Sequence, residues 1–363
     1  MNASSPPRRR GPNLRAWLLR LPLVTPYKLA FGPVEALDTV IVRVETAEGV
    51  EGFGEATLLT GYTDETIGET WEKARVLVEA ARSPSFDLRA ALDSLDATHP
   101  FLTTAFRTAL EMAVNDPRLA LETPARVPIL GLLQGETAEQ MQREAERLIA
   151  EGYGTVKVKV GFDPMGDARV VAMAQRAVAG RTRIRIDANQ GFDAAQAIDF
   201  VSRLSSESIE LFEQPCAAGD WGAHMKVVPP ARERGIPLML DESIYSLREI
   251  QEAARLGAAQ FIKVKLMKFS SLARLEAAIL KIRALGMKPV LGNGVAADVG
   301  CWMEACVAAR HIDNAGEMNG FLKPRERLLA GELVFAKGAI EIPARWRPAL
   351  DVARLERLAS ARC

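Results

Sequence analysis

Histidine and cysteine are scarce in this chain of 363 residues, with three of the first and four of the second. Cys216, Cys301, Cys306 and Cys363 are too irregularly spaced for a disulfide framework, and no CxxC is present to hold zinc. A reducing cytoplasm suits them. An excess charge of either sign is also missing: 46 Lys+Arg stand against 46 Asp+Glu. No basic surface is left to attract a phosphate backbone, so nucleic acid is not an expected partner. Long hydrophobic runs are absent as well. The richest stretch, 290–309, is broken by Asn293, Asp298 and Glu304, well short of the roughly 18 apolar residues that would mark a membrane span. What remains, 48% hydrophobic and 25% charged, is the composition of a globular protein with two domains or one elaborated α/β barrel.

Residues 1–12, MNASSPPRRRGP, read as a disordered tail with no secretory h-region behind it. Over 13–127 strand-like alternation (LRAWLLRLPL, then DTVIVRVETAEGVEGFGEA) gives way to helical periodicity (ETIGETWEKARVLVEAA, FRTALEMAVNDPRLAL), which describes a separate α+β domain. From 128 to 330 short β-branched runs alternate with amphipathic helical stretches. The runs are VPILGLL, TVKVKVG, RIRIDAN, IELFEQP, PLMLDES, AQFIKVKL, KPVLGN and HIDNAGEM. Eight such strands, apolar on both faces and with no GxGxxG after the first, favour a closed parallel barrel over a doubly wound sheet. Residues 331–363 return to short strand and helix and are expected to pack back on the first domain.

A barrel strand should be apolar, yet these end in charge: Lys157 and Lys159, Asp187 and Asn189, Glu213 and Gln214, Asp241 and Glu242, Lys263 and Lys265, Glu317 and Asn319. Strand C-termini form the face on which barrel active sites are built. Side chains alternate with period two, so each Lys-x-Lys pair shares a face and can point inward. Asp187, Glu213 and Asp241 offer hard oxygen ligands from three consecutive strands, a set suited to Mg²⁺ or Mn²⁺ rather than zinc. Singly, each acid is more often a helix cap and each KxK an edge strand. Together they require consecutive strands to bury charge at one end, which is costly without a function.

The motifs KVK (157–159), DANQGF (187–192), FEQP (212–215), DES (241–243) and IKVKLMK (262–268), in that order and one per strand, resemble the muconate-lactonizing-enzyme subgroup of the enolase superfamily. The resemblance spans nearly all of the chain beyond the tail. It implies a modified (β/α)8 barrel of (β/α)7β type, with 13–127 as a capping domain completed by the C-terminal segment. It also implies an isomerase in which Asp187, Glu213 and Asp241 bind Mg²⁺, which holds a substrate carboxylate. The proton α to that carboxylate is then removed to give an enediolate. Lys159 and Lys265 match the family's acid and base, with Lys157, Lys263, Asn189 and Glu242 in support. An ordinary lysine, with a pKa of about 10.4, is a poor base at neutral pH. Like-charge repulsion from Lys157 and Lys263 is expected to make Lys159 and Lys265 better ones. The histidine-using branch is disfavoured, because His99 lies in the first domain, His224 in a loop after strand four, and His311 at the start of strand eight.

Two opposed lysines suit racemization or epimerization, and the same pair serves cycloisomerases and dehydratases. In the resembled family the loops 24–32 and 58–66 and the ends of strands seven and eight select the substrate, so Thr25, Tyr27, Lys28, Tyr62, Asn293, Glu317 and Asn319 are the expected substrate contacts. Dipeptide epimerases carry Asp-x-Asp where this chain has Glu317 and Asn319, and muconate enzymes a Glu, a hydrophobic pair and Gly where it has Glu317-Met318-Asn319-Gly320. Phe269-Ser270-Ser271 replaces a common pair of glycines, so the loop after strand six is expected to differ in shape. The leading reading is a racemase or epimerase of an amino-acid derivative, with Glu317 available to a cationic group; the others are a cycloisomerase or dehydratase of a carboxylic acid. A barrel that had lost catalysis and kept a binding role would lack an acid or a lysine, and Asp187, Glu213, Asp241, Lys159 and Lys265 are all present. A small carboxylate is the expected partner, in a cytoplasmic homo-oligomer.

Overall fold

The computed structural model describes residues 13–29, 32–59, 64–293 and 295–363, so the tail 1–12 lies outside the described residues. Strands β1 (Asn13–Leu29), β2 (Gly32–Glu45) and β3 (Glu51–Leu58) form an antiparallel sheet. Its two faces are both buried, for different reasons. Leu14, Ala16, Val40, Val42 and Val44 pack on helices α1 (Ile67–Ala80), α2 (Leu88–Leu95) and α3 (Pro100–Ala113), while Trp17, Leu19, Ile41 and Phe53 join the core shared with the barrel. Glycine at 52 and 54 is what lets α3 approach so closely, since a Cβ at either position would overlap the Ala109 or Ala105 carbonyl oxygen.

After β4 (Ala125–Pro128) come seven parallel strands in sequential order: β5 (Gly131–Leu132), β6 (Thr155–Lys159), β7 (Arg183–Asp187), β8 (Ile209–Glu213), β9 (Leu238–Leu240), β10 (Phe261–Val264) and β11 (Lys288–Leu291). The eighth expected strand is reduced to a bridge. Gly316 exchanges backbone bonds with Pro128 and Leu130, and the Glu317 N–H donates to the Leu291 carbonyl, which closes the ring between β11 and β5. The expected start of this strand at His311 is corrected, because His311 is the last residue of a helix and its ring meets Glu276. His224 is likewise helical rather than in a loop, with Nε2 on the Ala258 carbonyl oxygen.

The strands are wrapped by α4 (Ala138–Ala150), α5 (Pro164–Val178), α6 (Ala194–Ser202), α7 (Trp221–Glu233), α8 (Leu247–Leu256), a single turn α9 (Leu266–Phe269), α10 (Leu272–Ala284) and α11 (Asp298–His311). Most of these carry their own side-chain N-cap, among them Thr137, Asp163, Asp193, Asp220, Ser246 and Ser271. Helix α11 begins at Ala297, which has no such side chain. Glu55 of β3 supplies it, accepting from the Ala297 and Gly300 N–H groups, and Glu111 of α3 does the same for Leu272 and Ala273 at the start of α10. Two carboxylates of the first domain therefore plug two barrel helices.

The C-terminal segment contributes β12 (Leu329–Ala330), β13 (Val334–Ala336), β14 (Ala339–Ile342), β15 (Ala349–Leu350), α12 (Val352–Leu358) and β16 (Ala359–Arg362). β14 pairs with β4, and β16 adds to β1 as the edge of the first sheet. The β1–β2 segment is a long hairpin rather than a free loop; its register breaks between Pro22 and Tyr27, where prolines remove ladder donors. Its β1 arm is pinned by Val24 N–H to the Lys323 carbonyl and by Arg325 N–H to the Pro22 carbonyl. Among the described residues no helix is long and apolar enough to cross a membrane.

Candidate active site

Alternation decides what enters the barrel. Val156, Val158, Ile262 and Val264 join the core around the strands. Side chains on the opposite strand face turn inward: Leu211, Met239, Phe261 and Val290 form an apolar cluster, and the ionic side chains follow toward the strand C-termini. Lys157 Nζ lies 3.0 Å from Asp187 Oδ2 and 2.8 Å from Glu213 Oε2, and it also meets Glu317 Oε1. Lys263 Nζ contacts Glu213 Oε1, stands 3.3 Å from Asp241 Oδ2 and 2.8 Å from Glu317 Oε1. Nearer the mouth, Lys159 Nζ is 2.7 Å from Asp187 Oδ2 and donates to Asn189 Oδ1, while Lys265 Nζ is 2.8 Å from Asp241 Oδ2. The Lys159 side chain keeps 36% of its surface exposed and that of Lys265 only 4%. One of the two faces solvent and the other is enclosed.

The electrostatics follow from burial and pairing together. Burial favours the neutral form of Asp187, but Lys157 and Lys159 overcome it and hold the carboxyl well below its usual range; Asp241 is held low in the same way by Lys265, Lys268 and Lys263. Glu213 is pushed up to about 7 by burial and then by the negative charge of Asp187. Glu317 is half-buried, which works against its charge, yet Lys157 and Lys263 lower it to about 2. Glu317 is expected from the sequence to face a cationic substrate group; in the structure it faces two ammonium ions, Lys157 and Lys263. The pairing also changes the role expected of Lys157 and Lys263. Both are held above the ordinary lysine value, because nearby carboxylates outweigh the burial that disfavours their charge. They are matched cations, not uncompensated like charges beside Lys159 and Lys265.

Two side chains outside the expected set complete the cluster. Lys268, one helical turn beyond Lys265, donates to the Asp241 carbonyl and at 2.8 Å to its Oδ1, and lies 4.5 Å from the Tyr245 ring centroid. Burial, and then Lys265, lower it to about 8. Gln214 is fully buried and sets the strand-end backbone: its Oε1 accepts from Asp241 and Ser243 N–H, and its Nε2 donates to Cys216 O and Ser243 Oγ. Both residues stand inside the FEQP and IKVKLMK motifs, and the signal that marks them is a polar side chain within an otherwise apolar run. Asn189 joins the two sides, with its own N–H on Asp187 Oδ1 and Nδ2 3.0 Å from Glu242 Oε1.

Among the described residues no three His, Cys, Asp or Glu side chains already form a cage, because lysine ammonium groups stand between the acids. The donor set nevertheless fits a hard dication. Three adjacent strand ends deliver carboxylates, burial and the Asp187 charge raise Glu213, and Glu242 Oε2 is buried with no hydrogen-bond partner among the described residues.

Of the expected substrate contacts, Tyr62 lies outside the described residues, as do the side chains of Tyr27 and Lys28. Thr25 is exposed on the hairpin. Asn293 gives its Nδ2 to Glu304 Oε2 at 2.6 Å, and Asn319 directs its Nδ2 to the Leu130 carbonyl at 3.4 Å. After α9, Ser270 has φ +62°, so the turn keeps a glycine-type backbone in spite of the serine. Ser270→Gly is expected to raise stability by ~0.5–1 kcal/mol in urea unfolding, because the left-handed conformation no longer carries a Cβ.

Residues 17–124 match the mandelate racemase / muconate lactonizing enzyme N-terminal domain, and residues 140–348 the enolase C-terminal domain-like family. The chain is 30% identical over 353 residues to muconate cycloisomerase 1 of Rhodococcus opacus, covering 90% of this chain and 91% of that protein. It is 28% identical over 273 residues to N-succinyl-L-Arg/Lys racemase of Bacillus cereus, covering 70% and 72%. The solved structure of the N-succinyl Arg/Lys racemase of Bacillus cereus superposes with a TM-score of 0.82 at 23% identity, over 96% of this chain and 98% of that one, and so shares the fold.

Proposed function

Since the chain belongs to the mandelate racemase / muconate lactonizing enzyme family of enolase-type isomerases, we propose that it removes the proton α to a substrate carboxylate and returns it on the opposite face, racemizing or epimerizing an amino-acid derivative. The observation that carries this reading is the placement of Lys159 and Lys265. Lys159 ends β6 and Lys265 directly follows β10, four strands apart in a ring of eight, so they approach the mouth from opposite sides, each anchored to its own aspartate. One lysine takes the proton as a neutral amine and the other delivers one as an ammonium, which exchanges the two faces of the planar intermediate. Asp187, Glu213 and Asp241 would hold Mg²⁺, which would supply positive charge where the substrate carboxylate gains negative charge. Asn189 and Glu242 hold Lys159 and Asp187 in register across the strand ends.

Glu317 narrows the substrate. Its charge is spent on Lys157 and Lys263, so a free ammonium on the substrate gains nothing there, and an acylated nitrogen fits better. The name of the Bacillus cereus relative, N-succinyl-L-Arg/Lys racemase, supports the same class. A panel of N-acyl amino acids, dipeptides and unsaturated dicarboxylates is incubated with the metal-loaded protein in D₂O and followed by NMR. Deuterium entry with inversion on the N-acyl members, lost with EDTA, is the expected result. Ring closure of a dicarboxylate without racemization would make the protein a cycloisomerase, and no exchange on any member would overturn both readings.

A further inference from the structure

Barrel interiors fill in layers, four side chains at a time from alternate strands. One layer here consists of Lys157, Glu213, Lys263 and Glu317, and its charge alternates around the ring. Each oxygen of Glu213 is taken by a different lysine, and Glu317 Oε1 bridges the same two lysines from the other side. Lys263 does more than close the ring, because its Nζ also stands 3.3 Å from Asp241 Oδ2. It therefore touches two of the three acids assigned to the metal. At 1% exposure it has no path to a substrate. Its position is built into the neighbouring strand: a Cβ on Gly292 would lie 2.8 Å from Lys263 Cε and 3.1 Å from Cδ and Cγ, so the glycine makes room for the lysine stem.

We propose that Lys263 is an internal counter-cation which holds Glu213 and Asp241 in place and competes with the divalent ion for them, with Glu317 as its balancing anion, so that this pair sets the metal affinity of the site. The inference rests on the metal assignment above. A dication entering the cluster must share Glu213 and Asp241 with an ammonium that repels it across a few ångströms of low-dielectric interior. Removing the ammonium takes away one of the cations that compete for those carboxylates, and removing the Glu317 charge leaves the ammonium less compensated.

Calorimetric titration of the full-length protein with Mg²⁺ alone, without substrate, tests this. Lys263→Met is expected to bind at least about tenfold more tightly than wild type, Glu317→Gln at least about tenfold more weakly, and the double variant within about threefold of wild type, because it restores the net charge of the layer. The double variant removes both members of the pair and leaves Glu213 with Lys157, so it carries the test together with Glu317→Gln if the single Lys263 variant does not fold. Unchanged or weaker binding in Lys263→Met, or tighter binding in Glu317→Gln, overturns the proposal while leaving the metal site standing. A wild-type protein that binds no Mg²⁺ overturns the metal assignment and the proposal together.

Discussion

Alanine at Lys159 or at Lys265 is expected to lower racemization turnover by about 10²–10⁴-fold, the usual worth of a positioned acid or base. The two losses should differ in kind. With one lysine gone, the other still removes the proton from the enantiomer whose α-hydrogen faces it and returns solvent deuterium to the same side. Each variant should therefore exchange one enantiomer with retention, the two variants choosing opposite enantiomers, and the double variant should exchange neither. The folds should survive, because neither change strands a buried charge. Asp187 keeps Lys157 when Lys159 is removed, and Asp241 keeps Lys268 and Lys263 when Lys265 is removed. Deuterium wash-in from each pure enantiomer, read beside thermal melts, checks this. If both variants lost exchange of both enantiomers while melting as wild type does, the two-base assignment would fail. If only one lysine mattered, the syn-type chemistry of a cycloisomerase would be the better reading.

Period-two alternation in TVKVK and FIKVK is enough to put Lys157 with Lys159 and Lys263 with Lys265 on interior faces, and strand-end acids on three neighbouring strands are enough to propose a cation site. How these charges divide among themselves is not legible that way. Whether Glu317 meets a substrate or two lysines depends on which strands fall in the same layer, a property of ring closure, and closure here rests on the single bridge at Gly316. The eighth strand is poorly marked because HIDNAGEM holds a single β-branched residue, Ile312, and His311 continues the preceding helix. Least legible of all is the cap of α11. Ala297 offers no side chain, and the partner that replaces it, Glu55, sits more than two hundred residues earlier on another domain's sheet. A cap made by distant chain leaves no local motif.

Stability is expected to fall as pH rises from about 5 to 8, and Glu304→Gln to remove part of that fall. Glu304 is buried on α11, with Oε2 on Asn293 Nδ2 and Oε1 on the Leu266 N–H, and burial pushes its carboxyl up from 4.5 to about 8. Glu55 of β3, which caps the start of the same helix, is raised to about 7, again chiefly by burial. Between the ordinary and the raised values the native protein holds protons that the unfolded chain has released. Unfolding therefore becomes easier with each step up in pH, by about 1.4 kcal/mol per unit for each group inside its window. The low-lying acids Asp187, Asp241 and Glu317 act in the opposite direction, but only where they titrate, at acid pH below this window. Glutamine keeps the shape of protonated Glu304 and cannot ionise. The variant should match wild type near pH 5 and exceed it by ~1–3 kcal/mol near pH 8, a gap measured by urea unfolding at each pH. Parallel stability curves for the two proteins would mean that Glu304 stays charged in the fold. Its bond to Asn293 would then be a charge-assisted one between strand seven and α11, and that result would move the source of any pH dependence to other raised carboxyls, such as Glu55 and Glu213.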